Sequence, residues 1–170
     1  MKPFLIAIDG ASGGGKTTYA QTRKNELNTE GKTVHIIHLD DLYGGWDEPL
    51  GENLEKTFRQ RVIPGVTGTV EFSLPCFDWN QYQWGAETVV EPSDVYIIEG
   101  VGAFMPILRP YIDEAIWIEC DEEVGFSRAI ARDGEGIRDQ LASFIVEQRK
   151  YFAETAPREF AGHSLPTQGI

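Results

Sequence analysis

The sequence predicts an α/β fold of three layers, in which a mostly parallel central sheet is flanked by helices. Short apolar runs rich in β-branched residues alternate with helix-forming segments, a pattern typical of parallel βαβ units. A glycine-rich stretch at 10–15 joins the first apolar run to the first helical segment. Ligands of such sheets bind beyond the carboxyl ends of the strands, so we expect a site at that edge.

Each predicted element has a local justification. Buried strands are the short apolar runs that end at a polar residue or a glycine, and they are expected at 4–9, 33–39, 94–98 and 115–119, with shorter strands at 69–72 and 88–90. Helices are the longer segments of good helix formers, expected at 17–27, 53–63, 104–111, 123–132 and 138–154. Pro64 should end the second helix because proline lacks an amide hydrogen.

Length and composition favour one soluble domain. A chain of 170 residues, 41% hydrophobic and 25% charged, can bury a full core but is short for two ordinary domains. The net charge of −12 repels polyphosphate backbones, which disfavours nucleic acid as a partner. Neither a bilayer-length apolar run nor a secretory signal pattern is present, so we expect a cytoplasmic protein without a membrane partner.

Residues 10–17, Gly-Ala-Ser-Gly-Gly-Gly-Lys-Thr, match the phosphate-binding pattern G-x-x-x-x-G-K-T. The match lies between a strand and a helix, where backbone amides without intrahelical partners converge on an anion. Lys16 is expected to reach the β- and γ-phosphates of ATP, and the Thr17 hydroxyl to ligate Mg²⁺. The alternative, a glycine-rich turn without a ligand, does not require those flanks. The predicted nucleotide-binding residues are Gly10, Ser12, Gly13, Gly14, Gly15, Lys16, Thr17, Thr18 and Arg128.

Two acidic residues each end a predicted strand at the edge that carries the loop. Asp40 follows the second strand and is the candidate base for an acceptor hydroxyl, as well as a candidate metal ligand with Thr17. Glu99 closes the third strand, where it could hold Mg²⁺ or its waters. In the alternative interpretation, Asp40 forms an Asx turn and Glu99 belongs to a tight turn.

Three arginines flank a polar turn at 133–136 that contains two glycines. In a kinase, cations on a mobile lid close over the triphosphate and compensate charge in the transition state. Arg132 and Arg138 are the candidate catalytic cations, together with Lys16, and Arg128 is a candidate nucleotide contact. In the alternative interpretation, these arginines only solvate an exposed helix face.

The segment 77–84 places four aromatic residues among polar ones without a strong helix or strand pattern. It could form an acceptor pocket in which rings stack, or its aromatics could pack the edge of the core, and the residues leave both open. The candidate substrate-binding residues are Tyr43, Phe77, Asp78, Trp79, Tyr82 and Arg138.

Taken in order, the glycine loop, Asp40-Asp41-Leu42-Tyr43 and Glu99-Gly100 resemble the uridine kinase branch of P-loop small-molecule kinases, near phosphoribulokinase and pantothenate kinase. The resemblance covers about residues 4–152. It implies that Asp40 is the catalytic base, that Phe77-Asp78-Trp79 matches an acceptor-site motif and that Arg132-Asp133 with Arg138-Asp139 matches the lid.

Two acceptor contacts of that family differ here. The nucleobase-contacting histidine is matched by a position near Tyr82, and the family's His-Pro-x-Ala-Phe/Leu-Asp segment is missing. The phosphate-binding residues do not depart from the pattern. The resemblance therefore implies phosphoryl transfer and leaves the acceptor open.

The sequence thus predicts a P-loop kinase domain at 1–156, with an acceptor-binding insertion at about 44–93, a lid at about 128–139 and a poorly ordered tail at 157–170. ATP with Mg²⁺ would donate a phosphoryl group to a small hydroxyl acceptor, for example a nucleoside. A nucleoside-monophosphate kinase that uses Arg59 and Arg61, or a nucleotide switch or ATPase without a small acceptor, are the alternatives. The oligomeric state is open, a homo-oligomer included.

Overall fold

The computed structural model describes residues 2–167. In chain order the strands are β1 (Phe4–Gly10), β2 (Val34–His38), β3 (Phe72–Leu74), β4 (Phe77–Asp78), β5 (Gln83–Trp84), β6 (Thr88–Val90), β7 (Val95–Glu99), β8 (Glu114–Glu119) and β9 (His163–Pro166). The helices are α1 (Lys16–Thr29), α2 (Glu52–Thr57), α3 (Ile63–Thr67), α4 (Glu122–Asp133), α5 (Arg138–Thr155) and α6 (Pro157–Phe160).

The central sheet of the described chain has five strands in the order β2-β7-β1-β8-β9, and each neighbouring pair is parallel. Glu99 is in register with Ile8 on one side and with His38 on the other. The carboxyl ends of β1, β2 and β7 therefore lie side by side. This arrangement confirms the predicted sheet, and it brings the residues of the predicted site to one edge.

Both faces of the sheet are covered, because side chains alternate along each strand. On β1, Leu5 and Ala7 face the larger core, which also contains Phe58, Phe104 and Phe144. Ile6 and Ile8 face the opposite way and pack with Ala20 and Leu27 of α1. The predicted three-layer α/β fold is confirmed. Within residues 2–167 no helix is long and apolar enough to cross a membrane.

Pro64 does not end the second helical segment, contrary to the prediction. The helical path runs from α2 through a π-helical turn, Phe58–Val62, into α3, where Pro64 lies in the first turn. Proline is tolerated there because an amide in the first turn has no intrahelical acceptor. The wider π turn before it separates the two α-helical pieces.

The helix predicted at 104–111 is replaced by consecutive turns. The amides of Leu108 and Tyr111 donate to carbonyl groups three residues earlier, and the 3₁₀ turn Arg109–Tyr111 ends the segment. Pro106 and Pro110 remove two amides that an α-helix would need, which explains the outcome.

The insertion folds away from the main sheet into two small antiparallel pairs, β3 with β6 and β4 with β5. β6 lies at the predicted residues, whereas the strand predicted at 69–72 is shifted to Phe72–Leu74. The aromatic segment predicted as a loop contains the β4–β5 hairpin.

The predicted poorly ordered tail needs a correction up to residue 167. Pro157–Phe160 is helical, and β9 extends the sheet beside β8, with His163 opposite Ile116 and Leu165 opposite Ile118. The Thr167 amide donates to the Glu119 carbonyl at 2.8 Å and prolongs this pairing. A short strand with few apolar residues gives little signal until its partner is known. Residues 168–170 of the predicted tail lie outside the described residues.

The carboxylate of Asp9, at the end of β1, is fully buried and joins three parts of the chain. It accepts hydrogen bonds from the amides of Gly10 at 2.7 Å and Phe104 at 2.9 Å, and from the Tyr151 hydroxyl of α5 at 2.7 Å. Burial raises the pKa of Asp9, and these hydrogen bonds oppose that shift. Since every contact is a donor, the group is suited to the ionised form.

We predict that Tyr151→Phe lowers the free energy of unfolding by about 2 kcal/mol, the usual cost of losing a hydrogen bond to a charged group. Asp9→Asn should cost more, because an amide NH₂ would face backbone N–H donors. Tyr111→Phe is the control, since Tyr111 lies outside this network on a half-buried turn. Urea denaturation measures the free energies of unfolding of these variants. Equal stability of Tyr151→Phe and wild type would contradict the prediction.

Candidate functional site

The glycine-rich loop packs against α4 through backbone contacts that exclude any side chain. A Cβ on Gly13, which has φ +71°, would lie 1.9 Å from the carbonyl oxygen of Gly125 in α4. A Cβ on Gly125 would lie 2.2 Å from the Ser12 carbonyl oxygen. The loop and the first turns of α4 therefore require glycine at both positions. Gly125 is not among the residues predicted from the sequence, although a glycine inside a helical pattern was the available signal.

The first turn of α1 is arranged for an anion. Gly15 is the N-cap residue, it offers no side-chain cap, and the turn contains no acidic residue. Backbone amides at such an end remain without intrahelical acceptors and attract negative charge. Lys16 is 7% exposed, and its Nζ donates to the carbonyl groups of Gly10 at 3.0 Å and Ala11 at 2.8 Å. The turn thus supplies amides and a cation to an anion, and phosphate binding by these residues stays a prediction.

Two residues from the C-terminal half hold the loop in place. The Ser12 amide donates to Oε1 of Gln148, a buried residue of α5, at 2.8 Å. The Thr167 hydroxyl donates to the Gly14 carbonyl at 2.9 Å and accepts from Arg128 at 2.7 Å. Sequence reasoning missed Gln148 and Thr167. The position of Gln148 on the apolar face of a helix was a signal in the sequence. No signal in the sequence indicated the role of Thr167.

Glu99 is buried at the end of β7 and binds two neighbours. Its Oε1 accepts from the Thr17 hydroxyl at 2.9 Å and lies 2.6 Å from Nδ1 of His38. The hydrogen bond to Glu99 raises the pKa of His38. Thr17 and Glu99, predicted as metal-binding partners, are thus in direct contact.

Asp40 lies in the 3₁₀ turn Leu39–Asp41 that follows β2. Its carboxylate is open to a cleft, yet the surrounding protein desolvates it and raises its pKa, and the charge of Glu99 adds to the rise. Lys16 and Arg132 act in the opposite direction. The indole N–H of Trp79 donates to the Asp40 carbonyl at 3.0 Å and ties the aromatic hairpin to this strand end.

The oxygen ligands available at this edge fit Mg²⁺ better than a transition metal. Thr17, Asp40 and Glu99 supply a hydroxyl and carboxylates, which hard cations prefer. Residues 2–167 contain no cluster of three His, Cys, Asp or Glu side chains that could hold a metal alone. Mg²⁺ needs no such cluster, since it is commonly bound by one or two carboxylates together with substrate phosphates.

Two adjoining clefts lie among the described residues. The phosphate cleft has a volume of about 630 Å³ and is lined by Ser12, Gly13, Gly14, Gly15, Lys16, Thr17, Thr18, Asp40, Glu99, Val101, Arg128, Ala129, Ala131, Arg132 and Phe144. The aromatic cleft measures about 600 Å³ and is lined by Ser12, Asp40, Asp41, Tyr43, Trp46, Trp79, Asn80, Arg132, Asp133, Ile137, Leu141 and Phe144.

The two clefts share Ser12, Asp40, Arg132 and Phe144. The candidate base and one lid arginine therefore stand where the clefts meet. Arg132 binds Asp133 through Nε at 2.7 Å and Nη2 at 2.6 Å, and this pairing raises its pKa. The sequence did not identify Phe144, Leu141 or Ile137 as lining residues, since an apolar stripe on a helix usually faces a core.

Only part of the candidate acceptor set reaches the aromatic cleft. Tyr43 and Trp79 line it, and the buried Tyr43 hydroxyl donates to the Val101 carbonyl at 2.8 Å. Phe77, Asp78 and Tyr82 lie outside. Phe77 is buried against Trp79, with ring centroids 5.0 Å apart.

Asp78 and Tyr82 have local structural roles. Asp78 Oδ1 accepts from the amides of Asn80 and Gln81 and closes the hairpin turn. The Tyr82 hydroxyl accepts from the Trp46 amide at 3.0 Å. Trp79 lines the cleft and also packs against the larger core, whereas Phe77 is buried among the rings of the hairpin. The acceptor-pocket interpretation of this segment stays a prediction.

Arg138 also lies outside both clefts. It pairs with Glu135 at 2.7 Å, and its guanidinium lies 5.5 Å from the centre of the Phe126 ring. Arg59 and Arg61, on which the nucleoside-monophosphate kinase alternative depends, do not line either described cleft, and Arg61 pairs with Glu87.

Sequence comparison supports the resemblance drawn from the motifs. A uridine kinase of Limosilactobacillus reuteri is 28% identical over 171 residues, covering 92% of this chain and 75% of its own length. A uridine kinase of Leuconostoc citreum is 27% identical over 189 residues, covering 99% and 90%. No protein-family model matches the sequence. The chain thus resembles uridine kinases over most of its length, which supports a small-molecule kinase.

Structural comparison agrees about the fold. A protein described as a possible uridine kinase from Bacillus stearothermophilus superposes with a TM-score of 0.72 at 18% identity, covering 97% of this chain and 89% of the other. The predicted resemblance to uridine kinase-like P-loop kinases is confirmed.

We predict that Gly125→Ala weakens binding of a nucleoside triphosphate at least about tenfold and lowers stability by about 1–3 kcal/mol, because the new methyl group overlaps the Ser12 carbonyl. Helix propensity alone would make alanine favourable. The control is Gly136→Ala, where no atom lies within 4 Å of the added methyl. Calorimetric titration measures the affinity, and an unchanged affinity in Gly125→Ala would refute the contact.

Proposed function

We propose that this chain is an ATP-dependent small-molecule kinase that transfers the γ-phosphoryl group to a hydroxyl group of a small acceptor. The observation that carries the proposal is the shared boundary of the two clefts. One cleft is built from the phosphate-binding loop, the other from aromatic residues, and Asp40 and Arg132 belong to both. Such an arrangement suits a transfer between two small ligands.

The loop would hold the triphosphate. The amides at the start of α1, together with the Lys16 ammonium, would bind the β- and γ-phosphates, and Ser12 to Thr18 would surround them. Arg128 would contact the nucleotide from α4, where Thr167 already positions its guanidinium. Mg²⁺, when bound near Thr17, Asp40 and Glu99, supplies neutralisation of charge on the phosphate oxygens.

Asp40 would act on the acceptor. Its carboxylate accepts the proton of the acceptor hydroxyl while that oxygen forms a bond to the γ-phosphorus and the bond from the γ-phosphorus to the β,γ-bridging oxygen breaks, which releases ADP. The raised pKa of Asp40 moves it toward the range in which a carboxylate is a useful base. Arg132, at the same boundary, would compensate the negative charge that develops.

The acceptor would bind in the aromatic cleft. Tyr43 and Trp79, together with Trp46 and Phe144, offer apolar walls for a ring or a carbon skeleton. A nucleoside-like acceptor fits the names of the relatives. Both cysteines, Cys76 and Cys120, are free thiols, which fits the cytoplasmic location expected from the sequence.

A nucleotide switch or ATPase module is the second candidate, since a phosphate-binding loop alone serves those functions as well. The aromatic cleft beside Asp40 favours the kinase, because a switch does not need a second small-molecule pocket. A nucleoside-monophosphate kinase is disfavoured by the carboxylates at the boundary, which repel an acceptor phosphate. Measuring ADP release with and without hydroxyl compounds separates these functions.

We predict that Lys16→Ala abolishes turnover, because the phosphates lose their main side-chain cation. Lys32→Ala, at an exposed position after α1, removes the same charge outside both clefts and should retain full activity. ADP formation in the presence of a turnover-competent acceptor measures the effect. Full turnover in Lys16→Ala would refute the nucleotide assignment.

We predict that Asp40→Asn keeps ATP binding and slows transfer by about 10²-fold or more, as expected for loss of a general base. Glu30→Gln, at an exposed position outside both clefts, removes the same charge and is the control. ATP affinity is measured by calorimetry and transfer under single-turnover conditions. An Asp40→Asn variant with an unchanged transfer rate would rule out the base assignment.

A further inference from the structure

The aromatic cleft has walls of closely spaced rings. The ring centroids of Trp46 and Trp79 are 5.0 Å apart, those of Trp46 and Phe144 are 6.4 Å apart, and those of Tyr43 and Phe144 are 5.6 Å apart. Trp46 and Trp79 are only partly buried, so ring surface remains accessible from the cleft. Aromatic faces attract cations as well as apolar groups.

The lining of this cleft contains more negatively charged side chains than positively charged ones. Arg132 donates to both carboxylate oxygens of Asp133. Asp40 and Asp41 are then the remaining charged side chains of the lining. Between residues 2 and 167 the Asp41 carboxylate makes no hydrogen bond or ion pair, although it is half buried. A half-buried carboxylate of this kind is stabilised when a ligand brings a positive charge.

The cleft lining contains two carboxylates that a ligand could satisfy. Asp40 and Asp41 only accept when ionised, whereas the Trp46 indole, the Asn80 amide, the Ser12 hydroxyl and the N–H groups of Arg132 that do not bind Asp133 can donate. A ligand that brings its own O–H and N–H groups can pair with both carboxylates.

We propose that the acceptor is a hydroxyl compound that carries a positively charged amino group, an amino alcohol or an amino sugar. Its ammonium group would pair with Asp41 against the rings of Trp46 and Trp79, and its hydroxyl would lie at Asp40. The assignment of that hydroxyl rests on the proposed kinase function, whereas the preference for a cation rests on the cleft alone. Asp41 is then the residue that determines specificity.

Matched ligands test the charge directly, with wild-type protein, Mg²⁺ and a non-hydrolysable ATP analogue. Choline is compared with its neutral carbon isostere 3,3-dimethylbutan-1-ol, and glucosamine with glucose. The charged member of at least one pair should bind about tenfold or more tightly than its neutral partner in calorimetric titration. Equal binding within both pairs, or uridine binding more tightly than every cation, would overturn the proposal.

Substitutions locate the preference within the cleft. Asp41→Asn should reduce the advantage of the charged member to less than about threefold, whereas Glu30→Gln, a charge change at an exposed position outside both clefts, should leave it unaltered. Trp46→Leu should weaken cation binding and Trp46→Phe should retain most of it, since phenylalanine keeps an aromatic face. A full cation preference in a folded Asp41→Asn variant would exclude Asp41 as the counter-charge.

These experiments distinguish a failure of the kinase proposal from a failure of the proposed cationic acceptor. Cation-selective binding without phosphoryl transfer to any bound compound would refute the kinase proposal and support the assignment of the cleft. Transfer to neutral acceptors at rates equal to those of charged ones would support the kinase and refute the cationic acceptor. Thermal unfolding of each variant shows that the protein is folded, and the ligand pairs with wild-type protein require no variant.

Discussion

The buried carboxylate of Asp9 is the interaction on which the rest of the structure depends. It binds the first amide of the glycine-rich loop, the amide of Phe104 after β7 and the hydroxyl of Tyr151 in α5. Because α5 is held at this point, Gln148 reaches the Ser12 amide and Phe144 reaches the boundary of the clefts. One desolvated charge thus couples the loop to the helix that forms the far wall of the site.

The position of the site follows from the register of the sheet. Glu99 stands beside Ile8 and His38, so the polar residues that follow three parallel strands meet at one edge. The amides of the glycine-rich loop lie on one side of this edge and aromatic rings on the other, with Asp40 and Arg132 between them. This geometry, more than the likeness to any one relative, is what supports a transfer between two small ligands.

Sequence reasoning identifies the features that are local in the chain. The loop, Asp40 and Glu99 are recognisable because a short apolar run followed by glycine or an acid marks a strand end. Gly125, Gln148 and Thr167 are not, because their roles come from contacts with a loop more than 100 residues away. Phe77 and Trp79 lie two residues apart, yet Phe77 is buried among the rings of the hairpin and Trp79 lines the cleft, a difference that the sequence pattern does not show.

The most direct test of the central claim is a crystal structure with Mg²⁺ and a non-hydrolysable ATP analogue. We expect a γ-phosphate bound by Lys16 at the shared boundary of the clefts, with the Asp40 carboxylate facing it from the acceptor side. A triphosphate bound away from residues 10–17, or an Asp40 side chain directed away from the γ-phosphate, would contradict the account.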